Sequence, residues 1–370
     1  MTRDAEGPHD RHTILFTPGP TEVSPEILRQ MSRPIIGHRG EEMQAILGEV
    51  IERGRRLFGT ERHDLFVTGS SATGLWEAAI RNAVERRVLV PVCGAFSERF
   101  FDVAVACGAP AERLDCEWGR AVEPAAVADR LARGDCDAVA LVHNETSTGV
   151  VNPLGAIAAA VRRTPEVALL VDTVSSLAGM PVEVDAHGID VALASVQKCL
   201  ALPPGLALCV VSKRVLERSA RLQGKGKGYY FDFLKLKGYF DKRNPLATPS
   251  VSHIFALQAQ LRRIEAEGLE ARYARHRAMA GIVRAWAERR FALFAAPGAR
   301  SETVTCIAVP KGVDVAALVK GAARRGFAIS NGYGRLKGTT FRIGHMGDHT
   351  VEGVENLLAA LDATLQEMAG

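Results

Sequence analysis

The chain of 370 residues lacks several things whose absence narrows what it does. It has seven cysteines, at 93, 107, 116, 136, 199, 209 and 306, and no two form a CxxC pair. An odd, unpaired set sets aside a disulfide framework and a zinc ribbon. It suits a reduced, cytoplasmic setting in which free thiols pack as small hydrophobes. Charge is nearly balanced, with a net +4, too little to draw nucleic acid or a membrane surface. No apolar run approaches the ~18 residues that would suggest a membrane span. The opening MTRDAEGPHDRH has no apolar core of the signal-peptide kind, and residues 1–12 read as a loose leader. A metal site is also missing. His345 and His349 are four apart, but the MGD between them reads as a loop, so both are expected to be structural. The QGKGKGYY stretch lacks GxxxxGK[ST] spacing and reads as a mobile loop rather than a phosphate cradle.

What is present is alternation. Apolar runs at DLFVT, RVLVPV, AVALVH, VALLVD, DVALASV and LALCVV are separated by stretches such as ATGLWEAAIRNAV and GAIAAAVRRT. This pattern predicts an α/β fold with a mostly parallel sheet between helices. Ser24 followed by Pro25 predicts a helix start. Beyond residue 250 come two long amphipathic stretches, HIFALQAQLRRIEAEG and LEARYARHRAMAGIVRAWAERR. TVTCIAVP, FAIS and TTFRIG follow, with a last helical stretch from Val351. Two domains are therefore expected, a large one over 13–267 and a smaller α+β one over 268–370. The arginines between 272 and 290 are expected to line a solvated helix face.

In open α/β sheets, ligands gather at the C-terminal ends of the strands. DLFVT runs into GSSAT, where small hydroxyl residues opening a helix suit a phosphate. VALLVD ends in Asp172, a carboxylate that is costly to desolvate without a positive partner. Lys198 ends the next strand, in SVQKCLALPPG, between two apolar runs where a lysine is out of place. An anion cradle, an acid and an amine on one sheet edge are the three things pyridoxal phosphate needs: a seat for its phosphate, a partner for its ring nitrogen and an amine for its aldehyde. TTFRIG is short, apolar and β-like, so Arg342 within it calls for an anionic partner, and a guanidinium grips carboxylate bidentately.

TPGP at 17–20, GHRG at 37–40, NETSTG at 144–149, VDTVSS at 171–176, SVQKCLALPPG at 195–205 and FRIGHMG at 341–347 resemble, in that order, the class V aminotransferases of fold type I. The resemblance is to the serine–pyruvate and alanine–glyoxylate group, and spans residues 13–365. It implies a pyridoxal-5'-phosphate-dependent homodimer with its active site at the subunit interface. It makes Lys198 the Schiff-base lysine and Asp172 the ring-nitrogen partner. It makes Ser71, Ala72, Thr73 and Gln197 phosphate contacts, and Thr248 a phosphate contact reaching in from the other subunit. Phe96 would stack on the cofactor, Thr146 would touch the ring edge and Val174 the face opposite Phe96. Arg342 would hold the substrate carboxylate, with Gly19 lining the same pocket.

The implied reaction moves an amino group from alanine or serine to glyoxylate or pyruvate. Rival readings within the fold are 2-aminoethylphosphonate or ureidoglycine as donor, and a cysteine desulfurase-like lyase. Against the last, Gln197 stands where desulfurases carry histidine, and Cys199 looks buried rather than catalytic. A silent scaffold protein is disfavoured by the complete set of lysine, aspartate and arginine. The chain departs from mammalian members at Phe96, where they carry tryptophan, and at Pro245, where they carry a tyrosine. Tyr229 or Tyr230 could supply the missing hydroxyl, and Arg39 a second carboxylate clamp.

Overall fold

Seven runs of five residues each build the central sheet of the computed structural model, which describes residues 12–222 and 226–369. All of the leader but His12 lies outside that range, as do residues 223–225 of the Gly- and Lys-rich stretch. In chain order the strands are β1 Asp64–Thr68, β2 Val88–Val92, β3 Ala111–Asp115, β4 Ala138–Val142, β5 Ala168–Asp172, β6 Val191–Ser195 and β7 Ala207–Val211. Across the sheet they run β1-β7-β6-β5-β4-β2-β3. β7 is antiparallel to both neighbours, and the other pairs are parallel.

Two apolar layers explain why these runs are apolar throughout. Val139 and Leu141 of β4 face one layer, with Leu47, Ile157 and Leu257; Ala138, Ala140 and Val142 face the other, with Leu75, Trp76 and Phe100. A strand buried on both sides reads as an uninterrupted run rather than an alternation. β3 (AERLD) is the exception. It lies at the sheet edge, none of its residues is fully buried, and it carries charge at three positions of five. Edge strands are kept polar in this way, which is why no apolar run announced it.

The expected helix start is as read: the Ser24 side chain accepts from the Ile27 N–H, with Pro25 at the first helical position. Beyond Gly268 the chain forms the helix Leu269–Glu288 and a second sheet, whose main strands are Val304–Ala308 and Thr340–Gly344. Helices Val315–Arg324 and Val351–Ala369 complete this part. Its core gathers Met279, Val283, Trp286, Ile343 and Leu357, and Phe16 joins the same cluster. The strand Ile14–Leu15 pairs in parallel with Phe327–Ala328.

The arginines of 272–290 are not uniformly solvated. Arg272 is only 2% exposed. It pairs with Glu267 and Asp348 and donates to the carbonyls of Ala178 and Cys199. A guanidinium tolerates burial when its donors are met in this way. His345 and His349 are both buried: His345 bonds to Thr305, while His349 stacks on Phe16 and bonds to the Leu15 carbonyl. Among the described residues no helix is long and apolar enough to cross a membrane.

Candidate active site

The C-terminal edge of the parallel strands surrounds a cavity of about 220 Å³. Asp172 is the last residue of β5, and its backbone pairs in register with Val142 of β4 and Leu193 of β6. Lys198 sits three residues beyond β6, in a turn rather than on the strand end. That turn is closed by hydrogen bonds from Ala201 N–H to the Lys198 carbonyl and from Leu202 N–H to the Val196 carbonyl. Ala201 takes a positive φ of 50° there, before the double proline.

Lys198 is 8% exposed, and its Nζ donates to the Pro18 carbonyl. Burial, then the positive charge of Arg342, pushes its ammonium down to about 8. Gly19 leaves room for it. A Cβ on Gly19 would meet Lys198 Nζ at 2.5 Å, and the φ of 99° at Gly19 also disfavours a side chain.

Asp172 is held at both oxygens. Oδ1 accepts from the Val174 N–H at 2.7 Å, and Oδ2 from Trp76 Nε1 at 2.8 Å. Burial pushes its carboxyl up to about 7 in the cofactor-free chain, against those two bonds.

Ser71 caps the helix Ala72–Ala83, and its side chain makes no capping bond, so the hydroxyl is not used within the helix. A helix start of this kind presents N–H groups to an anion. Phe96 is set by the helix Ala95–Ala106, whose N–H groups at Phe96 and Ser97 are received by the buried Glu145 carboxylate. Thr146 Oγ1 lies 2.6 Å from Ser175 Oγ.

Gly19, Ser71, Ala72, Thr73, Phe96, Thr146, Asp172, Val174, Gln197 and Lys198 all line the one cavity. Arg342 lies just behind it, 7% exposed, and donates to the carbonyls of Thr146 and Asn331 at 3.3 Å each. No carboxylate among the described residues pairs with it. Thr248 is exposed and outside the cavity. Arg39 is also exposed, beside the Tyr239 ring, and does not line the cavity. The Tyr230 hydroxyl accepts from the Gly69 N–H, and neither it nor Tyr229 lines this cavity.

Sequence reasoning missed Trp76, Arg99 and Glu145. Arg99 lines the cavity, and its guanidinium lies over the rings of Phe96 and Tyr333. Glu145 was legible as part of NETSTG but not as a helix cap, because its helix lies fifty residues upstream. Trp76 fell inside an apolar helix pattern that masks a hydrogen-bond donor.

An amine with a lowered proton affinity, an acid that lacks a cationic hydrogen-bond partner and a helix N-terminus fit pyridoxal 5'-phosphate at its aldehyde, ring nitrogen and phosphate. The class of protein defined by this fold and this donor set is a pyridoxal-phosphate enzyme. The sequence model for aminotransferase class V matches residues 13–357. An uncharacterized aminotransferase of Methanocaldococcus jannaschii is 40% identical over 96% of this chain and 93% of its own. A serine–glyoxylate aminotransferase of Methylorubrum extorquens is 34% identical over 90% of this chain and 86% of its own. The crystal structure of ureidoglycine–glyoxylate aminotransferase from Bacillus subtilis superposes with a TM-score of 0.92 at 32% identity, covering 100% of this chain and 96% of that one. The chain belongs to the class V aminotransferase family. It is a pyridoxal-phosphate-dependent transaminase.

Proposed function

We propose that this transaminase takes the amino group of alanine or serine and gives it to glyoxylate or pyruvate, with glyoxylate the acceptor that the names of two relatives share. The observation that carries the reading is Arg342: a buried guanidinium behind the cavity, bonded among the described residues to main-chain carbonyls alone and poised for one carboxylate.

Bound pyridoxal phosphate supplies an electron sink for the bond that breaks at the substrate Cα. Lys198 would hold the cofactor aldehyde, and its Nζ, when free, would move the proton at the substrate Cα. Asp172 would partner the ring nitrogen and favour its protonated form. Ser71, Ala72, Thr73 and Gln197 receive the phosphate, with Thr248 from the second subunit of a homodimer. Phe96 and Val174 would hold the ring between them, and Thr146 would meet its edge. Gly19 keeps the wall beside Lys198 open. The chain would divide into a large cofactor domain, 13–267, and a small domain, 268–370, which carries Arg342 and whose core also takes in Phe16. With seven free cysteines, the cytoplasm is the proposed compartment.

The test is a titration of the loaded enzyme with single amino acids, without an oxo acid, following the visible absorbance of the cofactor. Bleaching by alanine or serine and not by aspartate or glutamate supports the reading and names the donor. An unmoved band with both small donors defeats it and turns attention to ureidoglycine. Arg342→Leu is expected to raise the donor KM by about 10-fold or more, the loss of one charge-assisted contact.

A further inference from the structure

The helix Ala72–Ala83 touches the cavity at two places one turn apart. Its first residues, with Ser71 and Thr73, form the anion cradle, and Trp76 reaches Asp172. The indole is 3% exposed, stacked on Phe100 at 5.0 Å with rings 13° from parallel, so its Nε1–H has a fixed aim. That aim is Asp172 Oδ2 at 2.8 Å, while the Val174 N–H occupies Oδ1. The carboxylate plane is therefore fixed from two sides, and the remaining lone pairs are left to the cavity.

We propose that Trp76 is a positioning residue that keeps the shared proton on the cofactor's ring nitrogen rather than on Asp172. The inference rests on Asp172 being the ring-nitrogen partner. A proton between a pyridine nitrogen and a carboxylate settles on whichever is the better base in that site. A donor to the carboxylate stabilises its anionic form and so leaves the proton on nitrogen. The charged groups that face Asp172 otherwise oppose one another, Lys198 from the turn after β6 favouring the anion and Glu145 from beyond β4 disfavouring it. His143, at the end of β4, is held neutral by burial, which pushes it down to about 4. Burial itself favours the neutral acid. The indole N–H is thus the side-chain hydrogen bond that works against burial at this carboxyl. One helix reads both ends of the cofactor, phosphate at its N-terminus and ring nitrogen through Asp172.

The test uses enzyme loaded with pyridoxal phosphate labelled with nitrogen-15 in its ring. The nitrogen chemical shift distinguishes a protonated ring from a neutral one without turnover. At fixed neutral pH the native protein is expected to show the protonated ring, and Trp76→Phe a shift toward the neutral pyridine. With it, kcat is expected to fall about 10- to 100-fold while the donor KM stays within about 2-fold, the pattern for a group that acts on the bond-breaking step and not on donor binding. An unchanged nitrogen shift in Trp76→Phe overturns the inference. Asp172→Asn separates it from its premise. If that change also leaves the shift unmoved, Asp172 is not the partner; if it moves the shift and Trp76→Phe does not, only the role of Trp76 fails. Should Trp76→Phe not fold, replacing Trp76 with benzothienylalanine, which keeps the bicyclic shape and lacks the N–H, gives the same two-way reading.

Discussion

At the level of single residues, Lys198 makes the most direct prediction. Its neutral amine is the form that captures an aldehyde, and burial lowers its proton affinity from 10.5 to about 8. The rate at which the cofactor-free protein takes up pyridoxal phosphate should therefore climb as pH rises through about 8 and then level, as followed by absorbance after mixing. The same shift has a stability sign. The folded value lies below the unfolded one, so the unfolded chain binds this proton more tightly. The cofactor-free protein thus gains stability from this group as pH rises from about 8 toward 10.5. Lys198→Met should flatten that gain in chemical denaturation measured at both ends of the window. Gly19 is a second single-residue case. Gly19→Ala puts a methyl against the lysine stem at a positive φ, and should slow capture or lower the occupancy at saturation with little loss of secondary structure by circular dichroism.

Among elements, the helix Ala95–Ala106 depends on a carboxylate borrowed from another part of the chain. Glu145 is fully buried and receives the N–H groups of Phe96 and Ser97, the place where a helix end favours negative charge. Glu145→Gln keeps the volume and removes the charge. It should cost about 1–2 kcal/mol of stability, by the usual measure of a charged cap, and weaken cofactor affinity by loosening Phe96; urea denaturation and an equilibrium titration with the cofactor check the two. This is also where sequence reading reached its limit. The strands buried on both faces announced themselves as apolar runs, and Asp172 and Lys198 stood out because charge beside such runs needs a reason, whereas Gly19 came only with the family resemblance. β3 did not, because an edge strand is half solvated. Arg272 was misjudged because its partners, Asp348 and the Cys199 carbonyl, come from distant segments. Trp76 and Glu145 were silent for the same reason: a hydrogen bond across 96 or 48 residues leaves no local periodicity.

For the molecule as a whole, the exposed Thr248 is the residue that carries the proposed assembly. A threonine outside its own cavity affects phosphate binding only if a second copy brings it to the site. Thr248→Ala should weaken cofactor affinity several-fold while leaving the melting temperature of the cofactor-free protein within a degree or two, since an exposed side chain contributes little to stability. A hybrid made by mixing Thr248→Ala with Lys198→Ala subunits should recover one native site per pair. Absence of recovery, with both parents folded and exchanging, would remove the intersubunit role.

The pairing of Ile14–Leu15 with Phe327–Ala328, and the seat of Phe16 among Met279, Ile343 and Leu357, set a timetable for biosynthesis. Residues that leave the ribosome early have no partner until nearly the whole chain has been translated. The large sheet can assemble before then, with the Thr21 N–H bonded to the Gln197 carbonyl, but the Ile14–Phe16 end of the segment that carries the Pro18–Gly19 wall stays unpaired until the last strands emerge. A nascent chain stalled before residue 327 should therefore hold a formed sheet and a Pro18–Gly19 wall fastened beside Lys198 at one end alone.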